Sequence, residues 1–150
     1  MKRRASLVLA LALSGCASGP PEPAPLDTRN ESCAACRMAV SEARFAAQLV
    51  SPGELPRFFD DIGCLAGFVK TGRAPSAATA FVADHETRAW VRADAAIYTR
   101  VPHLATPMGS HLIAHADAAS RDRDPAARGG TPVAAVELFG PSRAAAGRAR

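Results

Sequence analysis

The sequence predicts a small domain of mixed helices and strands, built as two similar halves. Three observations predict it. The order strand, strand, helix, strand can be traced twice along the chain. Turn-forming residues separate the apolar runs at short intervals. The length, 150 residues with 48% hydrophobic side chains, supports one small core or two very small halves sharing one.

Taken in order, Arg44 to Val50 alternates as a strand, and Ser51-Pro52-Gly53 supplies a turn. Arg57 to Phe59 closes the hairpin. Asp60 is placed to cap a helix that runs to about Lys70 and stops at Gly72. Ala78 to Ala83 and Arg88 to Arg92 read as strands on either side of a polar turn, Asp84-His85-Glu86-Thr87, in which His85 is expected to be solvated. In the second half, Ala96 to Val101 and Gly109 to Ala116 are strands. Asp117 to Arg128 is a poor helix broken by Pro125, and Val133 to Phe139 is a last strand after Gly129-Gly130.

The ends differ in character. Met1-Lys2-Arg3-Arg4 followed by the apolar stretch Ala5 to Leu13 reads as a secretory signal, too short for the roughly 20 residues of a membrane-spanning helix. Leu13-Ser14-Gly15-Cys16 resembles the bacterial lipobox, which implies cleavage before Cys16 and lipidation of its sulfur. The alternative is a plain signal peptide with a chance cysteine. Two or three acyl chains, at about 0.8 kcal/mol per buried CH₂, hold a protein firmly on a bilayer. The resemblance therefore implies a periplasmic-face, membrane-anchored protein, and Ala17 after the cysteine favours outer-membrane sorting. Residues 16–28 form a tether with four prolines among residues 17–28, the domain proper covers 29–139, and the Ala/Arg segment 140–150 is expected to be disordered. The formal charge of +4 falls to about +1 once Lys2, Arg3 and Arg4 are removed. The other arginines are scattered and lack stacking aromatics, so nothing points to nucleic acid.

Lipidation of Cys16 leaves Cys33, Cys36 and Cys64, an odd set in an oxidising compartment. At least one thiol is then free, shared with another chain or bound to a metal. Cys33-Ala34-Ala35-Cys36-Arg37-Met38 places three sulfur atoms within six residues. Two thiolates at i and i+3 on a turn reach one ion, and a thioether beside them makes a soft set that suits Cu(I) better than Zn(II). A thioredoxin-type redox pair, a structural Cys33–Cys36 disulfide, and a core role for Met38 are the competing readings; a zinc ribbon lacks its second C-x-x-C. Cys64, near a helix start, is either a thiolate stabilised by the helix end or the partner of Phe59 in a hydrophobic staple. Asp60 and Asp61 read as cap and first-turn residues. Met108, between Pro107 and Gly109, sits on a turn where a methionine has little packing reason to be. His103, His111 and His115 cluster near it in sequence, and one of them is a candidate imidazole ligand, although each alone reads more simply as a surface or hydrogen-bonding histidine. No nucleophile with a supporting base, phosphate loop, G-x-S-x-G or H-E-x-x-H occurs, so no enzymatic activity is expected.

The lipobox, the proline tether, C-x-x-C-x-M, Phe59-Asp60-Asp61-Ile62-Gly63-Cys64, Trp90-Val91 and Thr106-Pro107-Met108-Gly109 together resemble the NosL family, over about Cys16 to Leu138. Members are lipoprotein copper chaperones of nitrous oxide reductase maturation. The resemblance implies an α+β fold of two small ββαβ-like halves with antiparallel sheets, in agreement with the repeat. It also implies Cu(I) binding, with nitrous oxide reductase and its ABC-type maturation complex as partners. Matched by motif, the implied ligands are Cys33, Cys36, Met38, Cys64 and Met108. Two positions depart from the pattern: Arg37 stands where glycine is common, and His111 where a small residue is usual. Arg37 is expected to lower the neighbouring thiol pKa values, and His111 is a candidate extra ligand. The remaining alternatives are a thiol–disulfide redox lipoprotein using Cys33 and Cys36, and a structural zinc-binding lipoprotein.

Overall fold

The computed structural model describes residues 21–140. The expected signal segment, Cys16 and the tail after Gly140 lie outside them. The fold is α+β, with two antiparallel sheets of four and three strands. In the first half, β1 (Ala47–Val50) is flanked by β2 (Arg57–Phe59) and β3 (Thr79–Ala83), with α1 (Ile62–Lys70) between β2 and β3 in sequence. β4 (Trp90–Arg92) adds to β3. In the second half, β5 (Ile97–Arg100) is flanked by β6 (Leu112–His115) and β7 (Thr131–Val133), with α2 (Ala118–Arg123) between them in sequence. Each half thus places its first strand centrally, its second on one side and its third on the other. The repeat traced in the sequence is a repeat of topology. Among the described residues no helix is long and apolar enough to cross a membrane.

Several boundaries differ from the sequence expectation, each for a local reason. Ala43–Phe45 is a 3₁₀ turn, so the first strand begins at Ala47. The cap of α1 is Asp61, whose carboxylate accepts the Gly63 N–H at 2.6 Å, and not Asp60. α2 is capped by Asp117 and breaks at Asp124, before a second 3₁₀ turn at Pro125–Ala127. The last strand ends at Val133. Ala135–Phe139 is instead a short helix, α3, with Glu137 accepting the Ala134 N–H at 3.1 Å. Leu138 of α3 is buried, and Phe139 meets Tyr98 edge to face at 5.7 Å. Tertiary apolar contact, invisible in local propensity, decides that segment.

One core serves both halves. Ile62, Leu65, Ala66 and Phe68 of α1 are buried, the i, i+3, i+4 spacing of a helix with one apolar face. They join Phe58, Phe59, Leu49 and Val82 of the first sheet and Tyr98, Leu112 and Ala114 of the second. The buried Gln48 amide both donates to and accepts from the Ala24 backbone, at 3.0 and 2.8 Å, so the chain is already docked at Ala24, within the segment read as tether.

The halves are also tied by a buried carboxylate, Asp84. Its oxygens accept the Glu86 and Thr87 amides, the Ala116 amide at 2.8 Å and the Ser120 hydroxyl at 2.7 Å. Next to it, the His85 N–H donates to the Ala114 carbonyl at 2.8 Å. Burial alone would raise the Asp84 pKa, but the donors from Thr87, Ala116 and Ser120 outweigh it and hold the carboxyl at about 2, against an ordinary 3.8. Because the folded value is depressed, the associated stability is complete above about pH 4 and is lost as pH falls through about 2. The difference corresponds to about 2 kcal/mol. We predict that urea unfolding between pH 5 and pH 2 shows a steeper loss of stability in the wild type than in Asp84→Asn, by about that amount; parallel curves would refute the assignment.

Candidate metal centre

The C-x-x-C segment folds as a tight turn stitched at both sides. Cys33 N–H donates to the Met38 carbonyl at 2.8 Å, Arg37 N–H to the Cys33 carbonyl at 2.9 Å, and Val40 N–H to the Glu31 carbonyl at 3.0 Å. The Cys36 N–H points at the Cys33 sulfur at 3.5 Å. Such N–H donors stabilise charge on a thiolate. Ala34 N–H donates to the Phe58 carbonyl at 2.8 Å, which pins the turn to β2. β2 runs directly into Asp60, Asp61 and α1, so the turn comes to lie over the start of the helix.

There, Cys33, Cys36, Asp60 and Cys64 offer donor atoms that all lie within 4.8 Å of one another. This group is able to hold a metal ion. Cys33 is fully buried, Asp60 nearly so, and Cys36 and Cys64 are half-buried. All three cysteines are free thiols, so no Cys33–Cys36 disulfide forms here. Cys36 Sγ donates to Asp60 Oδ2 at 3.4 Å, while Asp60 Oδ1 is buried with no hydrogen-bond partner. A buried carboxylate oxygen with no donor is costly unless a cation or proton arrives.

Burial pushes the Cys36 thiol up, and the Met38 backbone N–H opposes it only in part. The Cys64 thiol is pushed far above the usual range, by burial first, then by its hydrogen bond to Asp60 and by Cys33. Two expectations are corrected by this. The helix end does not lower the Cys64 pKa, because burial first and then the Asp60 carboxylate beside the thiol outweigh it. Arg37 is exposed and does not lower that of Cys36. The Cys36 and Cys64 thiols of the metal-free protein carry protons at neutral pH, and an incoming ion displaces them.

Asp61 places the Met108 loop. Its Oδ2 accepts the Thr106 hydroxyl at 2.7 Å and the Met108 N–H at 3.1 Å, while its Oδ1 caps α1. The loop lies so close to the helix that a Cβ on Gly63 would meet Ser110 Cβ at 2.7 Å. Met38 and Met108 are exposed, 60% and 49%, so neither serves as a core residue. His111 stays within its own loop, with Nδ1 donating to the Leu104 carbonyl at 2.8 Å, and is not part of the sulfur group. The two departures noted in the sequence share a property: Arg37 and His111 both have positive φ, 71° and 58°. Glycine adopts that conformation without strain, whereas other residues hold it at a cost of about 1–2 kcal/mol.

Asp60 is the ligand candidate that the sequence reading assigned elsewhere. Two consecutive aspartates before a helix look alike, and only the packing of β2 sends one to the cap and the other to the thiols. His85 is also reassigned. It is 7% exposed and bonded to Asp124, not solvated. Its sequence signal, a histidine in a polar turn, pointed the wrong way.

Comparison with known proteins returned nothing: no family model, no curated protein and no solved structure matches the chain.

Two outcomes follow. Gly63→Ala should destabilise the fold by about 1–3 kcal/mol, since Ser110 must move with its loop; an unchanged urea midpoint would show that the loop is not held there. Arg37→Gly should be neutral or stabilising by up to about 1 kcal/mol, measured in the same way; a clear loss would mean that the Arg37 side chain itself supports the turn.

Proposed function

We propose that this protein is a lipid-anchored Cu(I) carrier of the bacterial periplasm that supplies copper for assembly of nitrous oxide reductase, with that enzyme's ABC-type maturation complex as its docking partner. The observation that carries the metal part of this reading is the convergence of three free thiols within 4.8 Å at the start of α1. Thiolates are soft donors, and soft donors select Cu(I). The exposed thioethers of Met38, on the same turn, and Met108, on the loop tied to Asp61, support it further. A thioether at the surface is available both to the bound ion and to an acceptor protein's exchange of ligands. The client, the anchor and the compartment rest on the lipobox and on the resemblance to the NosL family.

One observation favours a second reading, a structural zinc site. Asp60 contributes an oxygen, and three sulfurs with one oxygen make a closed tetrahedral set for Zn(II). A redox role has less support. Reactive C-x-x-C pairs present a low-pKa thiol at the surface, whereas Cys33 is buried and the Cys36 thiol is pushed up.

Anaerobic competition between the reduced chain and a chromophoric Cu(I) chelator tests the proposal. One equivalent of Cu(I) should bind, and Cys33→Ser, Cys64→Ser and Met38→Ala should each weaken it about tenfold or more, equivalent to about 1.4 kcal/mol. Asp60→Asn should leave Cu(I) affinity nearly unchanged. Retention of one zinc that Cu(I) does not displace, lost in Asp60→Asn, would establish the structural zinc site instead.

A further inference from the structure

At the seam between the sheets, a second cluster has entirely different chemistry. His85 follows β3, His115 ends β6, and Asp124 lies between α2 and the 3₁₀ turn. Asp124 Oδ2 accepts from His85 Nδ1 at 2.6 Å and from His115 Nε2 at 2.9 Å. One donor atom from each of the three residues lies within 4.8 Å of the others. All three are more than nine-tenths buried, at 7%, 0% and 5% exposed.

The second nitrogen of each ring, His85 Nε2 and His115 Nδ1, is buried with no partner. In neutral rings whose first nitrogens donate to Asp124, the second nitrogens carry lone pairs. Two buried acceptors with nothing to accept from are expensive in a folded protein.

The cluster is rigid. His115 lies on β6 within the ladder to β5, where it stands opposite Ile97. The His85 backbone is bonded to Ala114, and its ring rests against Phe45 at 5.2 Å. Asp124 Oδ1 accepts the Ala126 N–H at 2.8 Å. The Asp84 hydrogen bonds clamp the 84–87 turn to residues 116–120, which brings His85 to the other two.

We infer that His85, His115 and Asp124 form a second metal site, of nitrogen and oxygen donors, for a single divalent ion of borderline softness such as Zn(II). Two neutral imidazoles and one carboxylate suit Zn(II) and divalent copper, and lack the sulfur that selects Cu(I). A divalent ion held by His85 Nδ1, His115 Nε2 and Asp124 Oδ2, the atoms that already lie together, would take the place of the protons they share. The inference is independent of the copper proposal, because it shares no ligand with the sulfur group.

The test uses the full reduced chain, uniformly labelled with ¹⁵N, titrated with Zn(II) while the histidine ring nitrogens are followed by long-range ¹H–¹⁵N correlation. In parallel, Co(II) is used as an optical probe. Ring nitrogens of His85 and His115 should shift together and saturate at one equivalent beyond any ion taken by thiolates, and the shifted atoms identify the coordinating nitrogens. The corresponding Co(II) species should show ligand-field bands without thiolate-to-metal charge transfer. Asp124→Asn should weaken this equivalent by about tenfold or more and leave the charge-transfer species of the sulfur group unaltered. If that variant fails to fold, the wild-type ring spectra decide the matter alone. Unmoved His85 and His115 nitrogens with Zn(II) in several-fold excess, or shifts equal in wild type and a folded Asp124→Asn, would overturn the site and leave a purely proton-sharing cluster.

Discussion

The buried carboxylate of Asp61 joins three parts of the chain at one point. One oxygen caps α1, and the other takes the Thr106 hydroxyl and the Met108 amide from the second half. Capping at residue 61 fixes where the helix begins, and with it the direction in which Cys64 points. The same choice leaves Asp60 outside the helix, free to face the thiols. Gly63 completes the arrangement, since only a residue without a side chain lets the Ser110 segment approach so closely. The sulfur group and the methionine loop therefore depend on one capping decision.

The two halves repeat a topology but not a chemistry. Both place the first strand centrally and connect the second to the third through a helix capped by aspartate, Asp61 in one and Asp117 in the other. They diverge afterwards: the first half adds β4, and the second adds α3, which covers Tyr98. The three thiols lie in the first half and the turn that precedes it, and the Met108 thioether comes from the second. The imidazole cluster lies where the halves meet, with Asp84 closing that seam as Asp61 closes the other. Each candidate site thus sits beside a buried carboxylate that is spent on structure and is not itself a ligand.

Soft and borderline donors held apart in this way would let two metal ions be sorted by chemistry within one small domain. The proposed Cu(I) group has thiols whose protons must leave, and thioethers at the surface where an acceptor can reach. The proposed nitrogen and oxygen site is closed to solvent and rigid, which suits an ion that stays. Strained turns frame the first of these: Arg37 holds a left-handed conformation one residue after Cys36, and His111 does the same three residues after Met108.

Much was legible in the sequence because it is local. The C-x-x-C-x-M spacing, the hairpin turn at Ser51-Pro52-Gly53, the helix to Lys70 and the duplicated strand, strand, helix, strand order all follow from periodicity and turn chemistry over a few residues. That Cys33, Cys36 and Cys64 belonged to one question also followed, from the odd set that the expected lipidation of Cys16 would leave. What only the tertiary structure decided were matters of long-range contact: that Asp60 and not Asp61 meets the thiols, that residues 135–139 coil onto Tyr98 instead of extending, and that His85 is buried beside His115 and Asp124, 30 and 39 positions away. The physical reason is the same in each case. A side chain's partner across the core sets its burial and its charge state, and no window of neighbouring residues contains that partner.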